Sequence, residues 1–457
     1  AGGTDNVVVG AVLAEVNTGT GTLTNLLGDI FVDGATTQVL SIDNSADIMA
    51  RTWTVDSPSA GGGSVAVGGV GGHIGYDAVN TANVNLYGGS NDDTFVLDFA
   101  GGNLGDPVPA SAVNVFGNDD VAGDRFEIVG NTFDRVSHVF DSDTSGSVSY
   151  STVAGSLNYA DVENGAEILT AANRDFTFNN AFADGTLRDG GLFSGTPVTE
   201  LDSSVSATLL FATPSTSTEF NLAGGGNTLD VDSLASDFGT PTNTINGGDG
   251  VETVSFESLG NAGSPAWIVN GGDESDIVHL SPVAQDLDNL LGTVEFNGGS
   301  AGDSDTLNVN DDLGVFGDRF DITSTTITRL TGFSFGGATY DADVEFVNLD
   351  TGLGDDIVAV LSTSGTATTT VNGQAGDDDI LISGMGLGVG GTHFFNGNDG
   401  DDSFDVSLDS AGGLAEVINI DGGSHTVGAR DTVRINEDSE AQRNITFTHT
   451  GATQVTA

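Results

Sequence analysis

Glycine and acidic residues recur together in this chain, in short turns between apolar segments. In five copies the first glycine precedes the last acidic residue by five positions, and an apolar residue follows that acid by two. These turns begin at Gly88, Gly247, Gly271, Gly373 and Gly397. Glycine allows positive φ and close backbone approach, and aspartate supplies hard oxygen ligands. Calcium binds such oxygens, taking about 6–8 of them at about 2.3–2.6 Å.

The acidic residues of these turns, and of two turns of different length at Gly298 and Gly352, are the predicted metal ligands. They are Asp92, Asp93, Asp249, Glu252, Asp273, Asp276, Asp303, Asp305, Asp355, Asp356, Asp377, Asp378, Asp399, Asp401 and Asp402. If such turns stack, carboxylates of successive coils lie about 4.8 Å apart and repel one another unless they share a cation. We therefore predict bound calcium (Ca2+).

The spacing of the turns indicates the fold class. The first glycines of successive turns are Gly224, Gly247, Gly271, Gly298, Gly352, Gly373, Gly397 and Gly422, and the one wide interval, from Gly298 to Gly352, is twice the interval before it. A period of roughly 21–29 residues predicts an all-β parallel β-helix (β-solenoid) with three short strands per coil and the Gly/Asp turns stacked along one edge. Some 18 coils at about 4.8 Å each would form a rod of roughly 85 Å. No single coil can bury its apolar face, so neighbouring coils must stack.

The repeat continues along the whole chain and predicts one continuous solenoid over residues 1–457. A longer repeat divides it weakly into units near 1–122, 123–316 and 317–457, because Gly123–Ile128 matches Gly317–Ile322. Segments around Tyr159 and Tyr340 also correspond. Arg125 and Arg319, at equivalent positions, are interpreted as partners of neighbouring aspartates that hold coils together. Segment 171–220 is the least regular and is predicted to form irregular coils or a lateral insertion.

The turn at Gly397–Phe404 resembles the RTX-type Gly-Asp calcium repeat, which reads G-G-x-G-x-D-x-U-x with U apolar. The turn from Gly373 fits as well, and the two depart from the pattern at Asn398 and Gln374. The resemblance implies that calcium is bound by the last acid of each turn. These residues are Asp402, Asp378, Asp93, Asp276 and Glu252.

RTX repeats follow one another in tandem as nonapeptides, whereas here one copy occurs per coil. We therefore expect one calcium-lined edge on a larger β-helix rather than a two-stranded β-roll. The chain also resembles the very large, repeat-rich secreted proteins of marine bacteria. That resemblance implies an extracellular or cell-surface location.

Composition limits the possible functions. The chain has 66 acidic and 10 basic residues, a formal charge of −56, and it contains no cysteine. Such acidity is typical of disorder, but 37% of the residues are hydrophobic and recur in short alternating runs, which indicates a folded core. Nucleic acid is excluded as a partner because no basic patch exists. No apolar run approaches the length of a membrane span, which is about 18 residues.

The sequence favours a structural role over a catalytic one. Lysine is absent, and the six histidines are scattered, with no HExxH motif. We therefore predict that the protein is not an enzyme but an extracellular structural subunit. Two alternatives stay open: an adhesin-like calcium-binding rod on the cell surface, and a polysaccharide-active β-helix enzyme.

The two ends of the chain predict self-assembly. Residues Val7–Leu13 form an uncharged apolar strand, and Ile445–Thr448 are strand-like within a repeat unit that stops early. The missing part of that unit resembles the stretch after Glu15. A solenoid exposes unpaired strand edges at its ends. We expect the C-terminal coil of one subunit to stack on, or exchange strands with, the N-terminal segment of the next, forming a filament or surface layer.

Overall fold

A computed structural model of the chain describes most of the sequence. The described residues are 5–9, 23, 29–32, 38–56, 62–77, 81–100, 111–118, 123–151, 153–180, 184–222, 224–235, 238, 242–259, 266–300, 302–331, 335–365, 367–383, 391–408, 417–424 and 430–437. Within them lie 37 β-strands and one short 3-10 helix at Leu287–Asn289. No helix in this part of the chain has the length and apolar character needed to cross a membrane.

The strands are short and numerous along the whole described chain. Strands β1 to β19 are Asp5–Val9, Ile30–Val32, Gln38–Asp43, Thr52–Asp56, Gly62–Val67, His73–Asp77, Thr81–Tyr87, Thr94–Asp98, Ser111–Phe116, Arg125–Val129, Thr132–Phe140, Gly146–Tyr150, Val153–Ala160, Asn164–Glu167, Thr170–Phe178, Gly185–Phe193, Thr196–Ser203, Ser206–Ala212 and Ser217–Asn221. Strands β20 to β37 are Asn227–Val231, Thr242–Gly248, Glu252–Phe256, Ala266–Gly272, Ile277–Leu280, Thr293–Gly299, Thr306–Asn310, Arg319–Ile322, Thr326–Arg329, Ala338–Tyr340, Phe346–Asp350, Ile357–Val360, Thr368–Asn372, Asp379–Ile382, Thr392–Asn396, Ser403–Leu408, Val417–Asp421 and Thr432–Glu437.

These strands form two long sheets with mostly parallel pairing. Sheet A contains 19 of the described strands and runs from β1 to β37, and sheet B contains the other 18 and runs from β2 to β36. Between β19 and β26 the chain alternates strictly, with odd strands in sheet A and even strands in sheet B. Pairing there joins residues one predicted period apart, as for Thr253 with Ile277 and Ile277 with Thr306. The predicted parallel β-solenoid and its coil length are confirmed.

Each regular coil contains two strands, one per sheet, and not the three that the period predicted. A coil of this length accommodates two short strands with long connections as well as three with short connections. Period alone therefore does not distinguish the two cases. The sequence predicts a larger β-helix rather than a two-stranded β-roll. The regular coils of this solenoid nevertheless have two strands, one in each sheet.

Among the described strands, four antiparallel meanders interrupt the parallel stacking. Strands β4–β6 and β16–β18 lie in sheet B, and β11–β13 and β27–β29 lie in sheet A. In each meander the chain first passes two strand positions further along its sheet and then turns back. The first strand of the meander therefore pairs with the coil that follows. Meander β16–β18 lies inside the segment 171–220, which the sequence marks as irregular, and its strands are part of sheet B.

The core lies between the two sheets and follows from the alternation of apolar residues. Strands such as β8 and β23 bury every second residue and leave the intervening ones partly exposed, as period-two side-chain alternation requires. Aromatic rings join the sheets, with Phe176 of sheet A 4.8 Å from Phe211 of sheet B between ring centroids. Trp267 of sheet A contacts Phe256 of sheet B in the same way.

The outer face of sheet A carries a ladder of asparagines that stand just before the turns. The side-chain amide of Asn246 donates to Asn221 at 2.8 Å, that of Asn270 to Asn246 at 2.8 Å, and that of Asn297 to Asn270 at 2.9 Å. The amides of Asn246 and Asn270 each donate to one neighbour and accept from the other along the stacking direction. The ladder keeps successive coils aligned with one another at the point where each turn begins.

Candidate functional site

The last acid of these glycine-acid turns is buried, although the sequence would place such an acidic metal ligand at the surface. Asp93, Asp276, Asp378 and Asp402 are each 1% exposed, and Asp305 is 0% exposed. Each of them stands immediately before a strand of the next sheet. The acid therefore marks the point at which the chain leaves the turn and enters the core-facing strand.

These buried acids form hydrogen-bonded ladders, in which a carboxylate oxygen accepts from the backbone N–H of the acid one coil earlier. The first ladder includes the N–H groups of Asp93 to Asp124 (2.5 Å), Asp124 to Glu163 (2.7 Å), Glu252 to Asp276 (2.7 Å), Asp276 to Asp305 (2.7 Å) and Asp305 to Glu345 (2.9 Å). The second includes those of Asp318 to Asp356 (2.6 Å), Asp356 to Asp378 (2.8 Å), Asp378 to Asp402 (3.0 Å) and Asp402 to Asp431 (3.1 Å). A buried N–H without an acceptor is costly, and the acid supplies that acceptor.

The two ladders lie on opposite edges of the solenoid, so the prediction of a single acidic edge is wrong. The first ladder follows the edge where the chain passes from sheet A to sheet B, here called the AB edge. The second follows the edge where it passes from B to A, the BA edge. The change occurs around meander β27–β29, because the acids of the first ladder precede strands of sheet B and those of the second precede strands of sheet A.

The constant spacing between first glycine and last acid has a direct structural cause. The carboxylate of the acid folds back over the first glycine of its own turn. A Cβ at Gly88 would lie 2.6 Å from Asp93 Oδ2, and Cβ atoms at Gly271, Gly373 or Gly397 would lie closer still to their acids. A larger residue there would force the carboxylate to move.

Positive φ occurs at the second position of several of these turns, including the two that depart from the Gly-Gly pattern. Gln374 has φ of 70° and Asn398 has φ of 69°. These are the two positions that depart from the Gly-Gly pattern, and asparagine is among the residues that tolerate this region best. Both departures therefore keep the turn conformation.

The remaining predicted ligands of these turns include a group that lies on the exposed surface. These are Asp92, Asp249, Asp273, Asp355, Asp377, Asp399 and Asp401. Three of them form a short outer ladder on the BA edge, since the N–H of Asp377 donates to Asp355 and that of Asp401 to Asp377, both at 2.9 Å. Asp273 accepts from the hydroxyl of Ser300 one coil later.

One group of carboxylates in the described part of the chain has the proximity that a metal site needs. Asp303, Asp305 and Glu345 each place an oxygen within 4.8 Å of the other two. The sequence predicted Asp303 and Asp305, whereas it missed Glu345, which lies beyond the next meander and directly before β30. The signal available was the match between the segments that contain Tyr159 and Tyr340, since both end in Asp-Val-Glu.

Electrostatics in the ladders disfavour the ionised carboxylates. Burial raises the pKa of Asp305 to about 7, and the nearby carboxylates of Asp303 and Glu345 contribute to that shift against the hydrogen bond from the N–H of Asp276. Burial likewise raises the pKa of Asp378 to about 8. In the described structure one oxygen of each of these acids, Oδ2, is buried without a hydrogen-bond partner. Such an oxygen can be satisfied by a proton or by a cation.

A second acidic cluster, on the BA edge, contains its own cation. The guanidinium of Arg329 bonds to Asp288 at 2.6 Å, to Asp311 at 3.0 Å and to Asp318 at 3.2 Å. The Arg329 side chain is only 1% exposed. This arginine joins Asp288, from the connection between β24 and β25, to two acids of the connection between β26 and β27. Its single positive charge partly offsets theirs from within the fold.

Arg125 and Arg319, which the sequence assigned to contacts between coils, differ from Arg329. Each pairs with the acid two positions further along its own strand, Glu127 or Asp321. These ion pairs lie within a strand and do not join coils. Their side chains are about two-fifths exposed, at 42% and 40%.

The histidines with described positions do not come together. His73 is exposed on β6, His138 and His393 are buried in the core, and His279 lies beside Asn308. Burial lowers the pKa of His138, which lies 3.7 Å from Glu167. Glu167 in turn pairs with a fully buried arginine, Arg174, at 2.7 Å. This buried group is closed off within the core.

Comparisons with known proteins add no relative. A scan against protein-family models finds no match to the chain, and a search of curated proteins finds none either.

Proposed function

We propose that the protein is an extracellular structural protein, a β-solenoid subunit that calcium stabilises and that assembles head to tail into a filament or surface layer. The observation that carries this proposal is the continuous strand pairing of the two sheets. Among the described strands, β1 pairs only with β3 and β37 only with β35 in sheet A. Each end of the described sheet thus offers a strand edge to a further strand.

Charge supports a role for a divalent cation. A folded chain with a formal charge of −56 repels itself and its copies. The stacked acids increase that repulsion locally, since carboxylates follow one another coil by coil along each ladder. A cation that binds these acids stabilises the fold and removes the main barrier to association of two subunits.

The proposed joint is heterologous, because the edge of β37 and the edge of β1 are different surfaces. Such a joint propagates into an open assembly, and strand addition is a common mode of association. The segment Ile445–Thr448, which the sequence assigns to this joint, lies outside the described residues. Of Val7–Leu13, residues 7–9 form the end of β1, and 10–13 also lie outside them.

The test uses two truncated chains with complementary defects. One lacks residues 1–13 and the other lacks residues 445–457, and circular dichroism checks that both keep their β signal. We expect the intact chain in calcium to form fibres or sheets by negative-stain electron microscopy, and each truncated chain to stay monomeric by analytical ultracentrifugation. An equimolar mixture of the two should form dimers and stop, because only one pair of compatible ends remains. Monodisperse rods from the intact chain in calcium would contradict assembly and favour the adhesin-like alternative.

A further inference from the structure

The cluster of Asp303, Asp305 and Glu345 brings together two points of the AB edge. At the first the chain departs from this edge, and at the second it comes back to it. Asp303 and Asp305 belong to the turn between β25 and β26, and Glu345 directly precedes β30. The chain between Asp305 and Glu345 contains β26 and the whole meander β27–β29. The N–H of Asp305 donates to Glu345 Oε2 at 2.9 Å, so the two ends of this excursion are adjacent rungs of the ladder.

The cluster has the properties of a site that is built for a ligand. Asp305 is 0% exposed, and its Oδ2 and the Oδ1 of Asp303 are buried without hydrogen-bond partners. No arginine or histidine among the described residues forms an ion pair with these three carboxylates, whereas the neighbouring cluster has Arg329. Three carboxylates this close, two of them with a buried unpartnered oxygen, offer a divalent cation the hard oxygen ligands that it binds.

We propose that Asp303, Asp305 and Glu345 bind a divalent cation of the calcium type, which clips the β27–β29 meander to the solenoid at its base. The proposal rests on the cation-binding part of the proposed function and not on assembly. The ion joins the two chain ends of the excursion. Separation of these two ends would therefore have to release the ion, so binding of the ion opposes any opening of the meander that pulls them apart.

The chain contains a second meander of the same design, in which the position equivalent to Asp303 carries no carboxylate. The N–H of Asp124 donates to Glu163 at 2.7 Å, and meander β11–β13 lies between them. Two positions before Asp124 the sequence has Ala122, which lies outside the described residues, where the other copy has Asp303. The two meanders thus form an internal pair that differs at this position.

Hydrogen–deuterium exchange of the full chain, measured by mass spectrometry with calcium or with EDTA, tests the clip. We expect calcium to slow exchange of peptides from 319–340 by at least about tenfold and to leave peptides from 132–160 unchanged. Asp303→Ala should abolish that protection. Asp303→Asn, which keeps the size of the side chain, should reduce the calcium protection of these peptides. This variant is the control for a folding defect in Asp303→Ala. Ala122→Asp should create calcium protection of 132–160.

Two outcomes would overturn the clip: equal protection of both meanders by calcium, and unchanged protection of 319–340 in both Asp303 variants. Either could occur while calcium still raises the melting temperature and fibres still form, in which case the proposed function survives. Conversely, selective protection in a chain that never forms fibres would retain the clip and contradict the assembly.

Discussion

Two acidic clusters lie close together in the chain and solve the same electrostatic problem in different ways. At the BA edge Asp288, Asp311 and Asp318 surround Arg329. At the AB edge Asp303, Asp305 and Glu345 surround no basic side chain of the described residues. In each cluster, burial raises the pKa of the most deeply buried acid. Asp311, which Arg329 partly compensates, has a pKa of about 6, and Asp305 has one of about 7.

The chain itself provides a cation where the BA ladder begins, because Arg329 is fixed in the core and acts at every calcium concentration. The proposed clip leaves the AB rung to an external cation. Under that proposal, one edge of the solenoid is partly compensated at this level under all conditions, and the other responds to cations and to pH.

Removal of Arg329 should have the largest effect. Arg329→Met leaves Asp311 and Asp318 buried without a counter-charge, and breaking a buried pair in this way costs about 3–5 kcal/mol. The free energy of unfolding, from urea titration in EDTA, should fall by that amount. Calcium should restore part of it in the variant, because the altered cluster then resembles the one at Asp305.

Arg319→Met is the matched control for this change. Arg319 is 40% exposed and pairs with Asp321 in its own strand, and exposed pairs contribute at most about 1 kcal/mol. Equal losses in the two variants would show that the Arg329 cluster has no special role, and the comparison between the two edges would fail.

Substitution of the first glycine in the AB cluster should have an intermediate effect. In Gly298→Ala the new Cβ meets Asp305 Oδ2 and, at 2.8 Å, the carbonyl oxygen of Asp343. Overpacking of this kind costs about 1–3 kcal/mol. Thermal unfolding should show the loss, and calcium should raise the melting temperature of this variant less than that of the parent chain, since the carboxylate is displaced.

Gly226→Ala serves as the control, because its Cβ would have Val251 O as its nearest neighbour at 3.5 Å. That variant should be neutral or stabilised by about 0.4–1 kcal/mol. In the double variant Gly298→Ala/Asp305→Ala the two losses should add only in part, because the clash with the carboxylate disappears while the contact with Asp343 O remains. Fully additive losses would mean that the alanine at position 298 destabilises the turn through contacts other than the one with Asp305.

The smallest effect is a pH dependence of unusual sign. In EDTA, Asp305 and Asp378 have folded pKa values of about 7 and about 8, above their ordinary value of 3.8. Such groups take up protons on folding, so stability rises as the pH falls from above 8 toward 4. The melting temperature should therefore be higher at pH 7 than at pH 8.5, a range above the ordinary histidine pKa of 6.5.

With saturating calcium the same comparison should reverse or flatten, because protons then compete with the bound ion. A melting temperature in EDTA that falls between pH 8.5 and 7 would mean that the buried acids are ionised and satisfied in the folded chain. In that case neither the ladders nor the cluster at Asp305 would need a cation.

The sequence by itself determined the features that depend on contacts within one turn or one strand. The alternation of apolar residues fixed the strands, and the coil length followed from the repeat. The spacing from Gly271 to Asp276 is visible as a motif because the carboxylate packs over the glycine of its own turn. Both partners lie five positions apart, and each copy of the turn repeats the constraint.

Only the tertiary structure decided how these pieces combine. Two strands per coil fit the period as well as three, and a meander strand such as β28 has the same alternation as a parallel one. The pairing of neighbouring coils, and not local preference, selects among them. The return of meander β27–β29 brings Glu345 beside Asp305, and the acidic ladder changes edge around the same meander. Contacts between residues this far apart in the chain depend on where the chain reverses, and no local pattern in those residues records that choice.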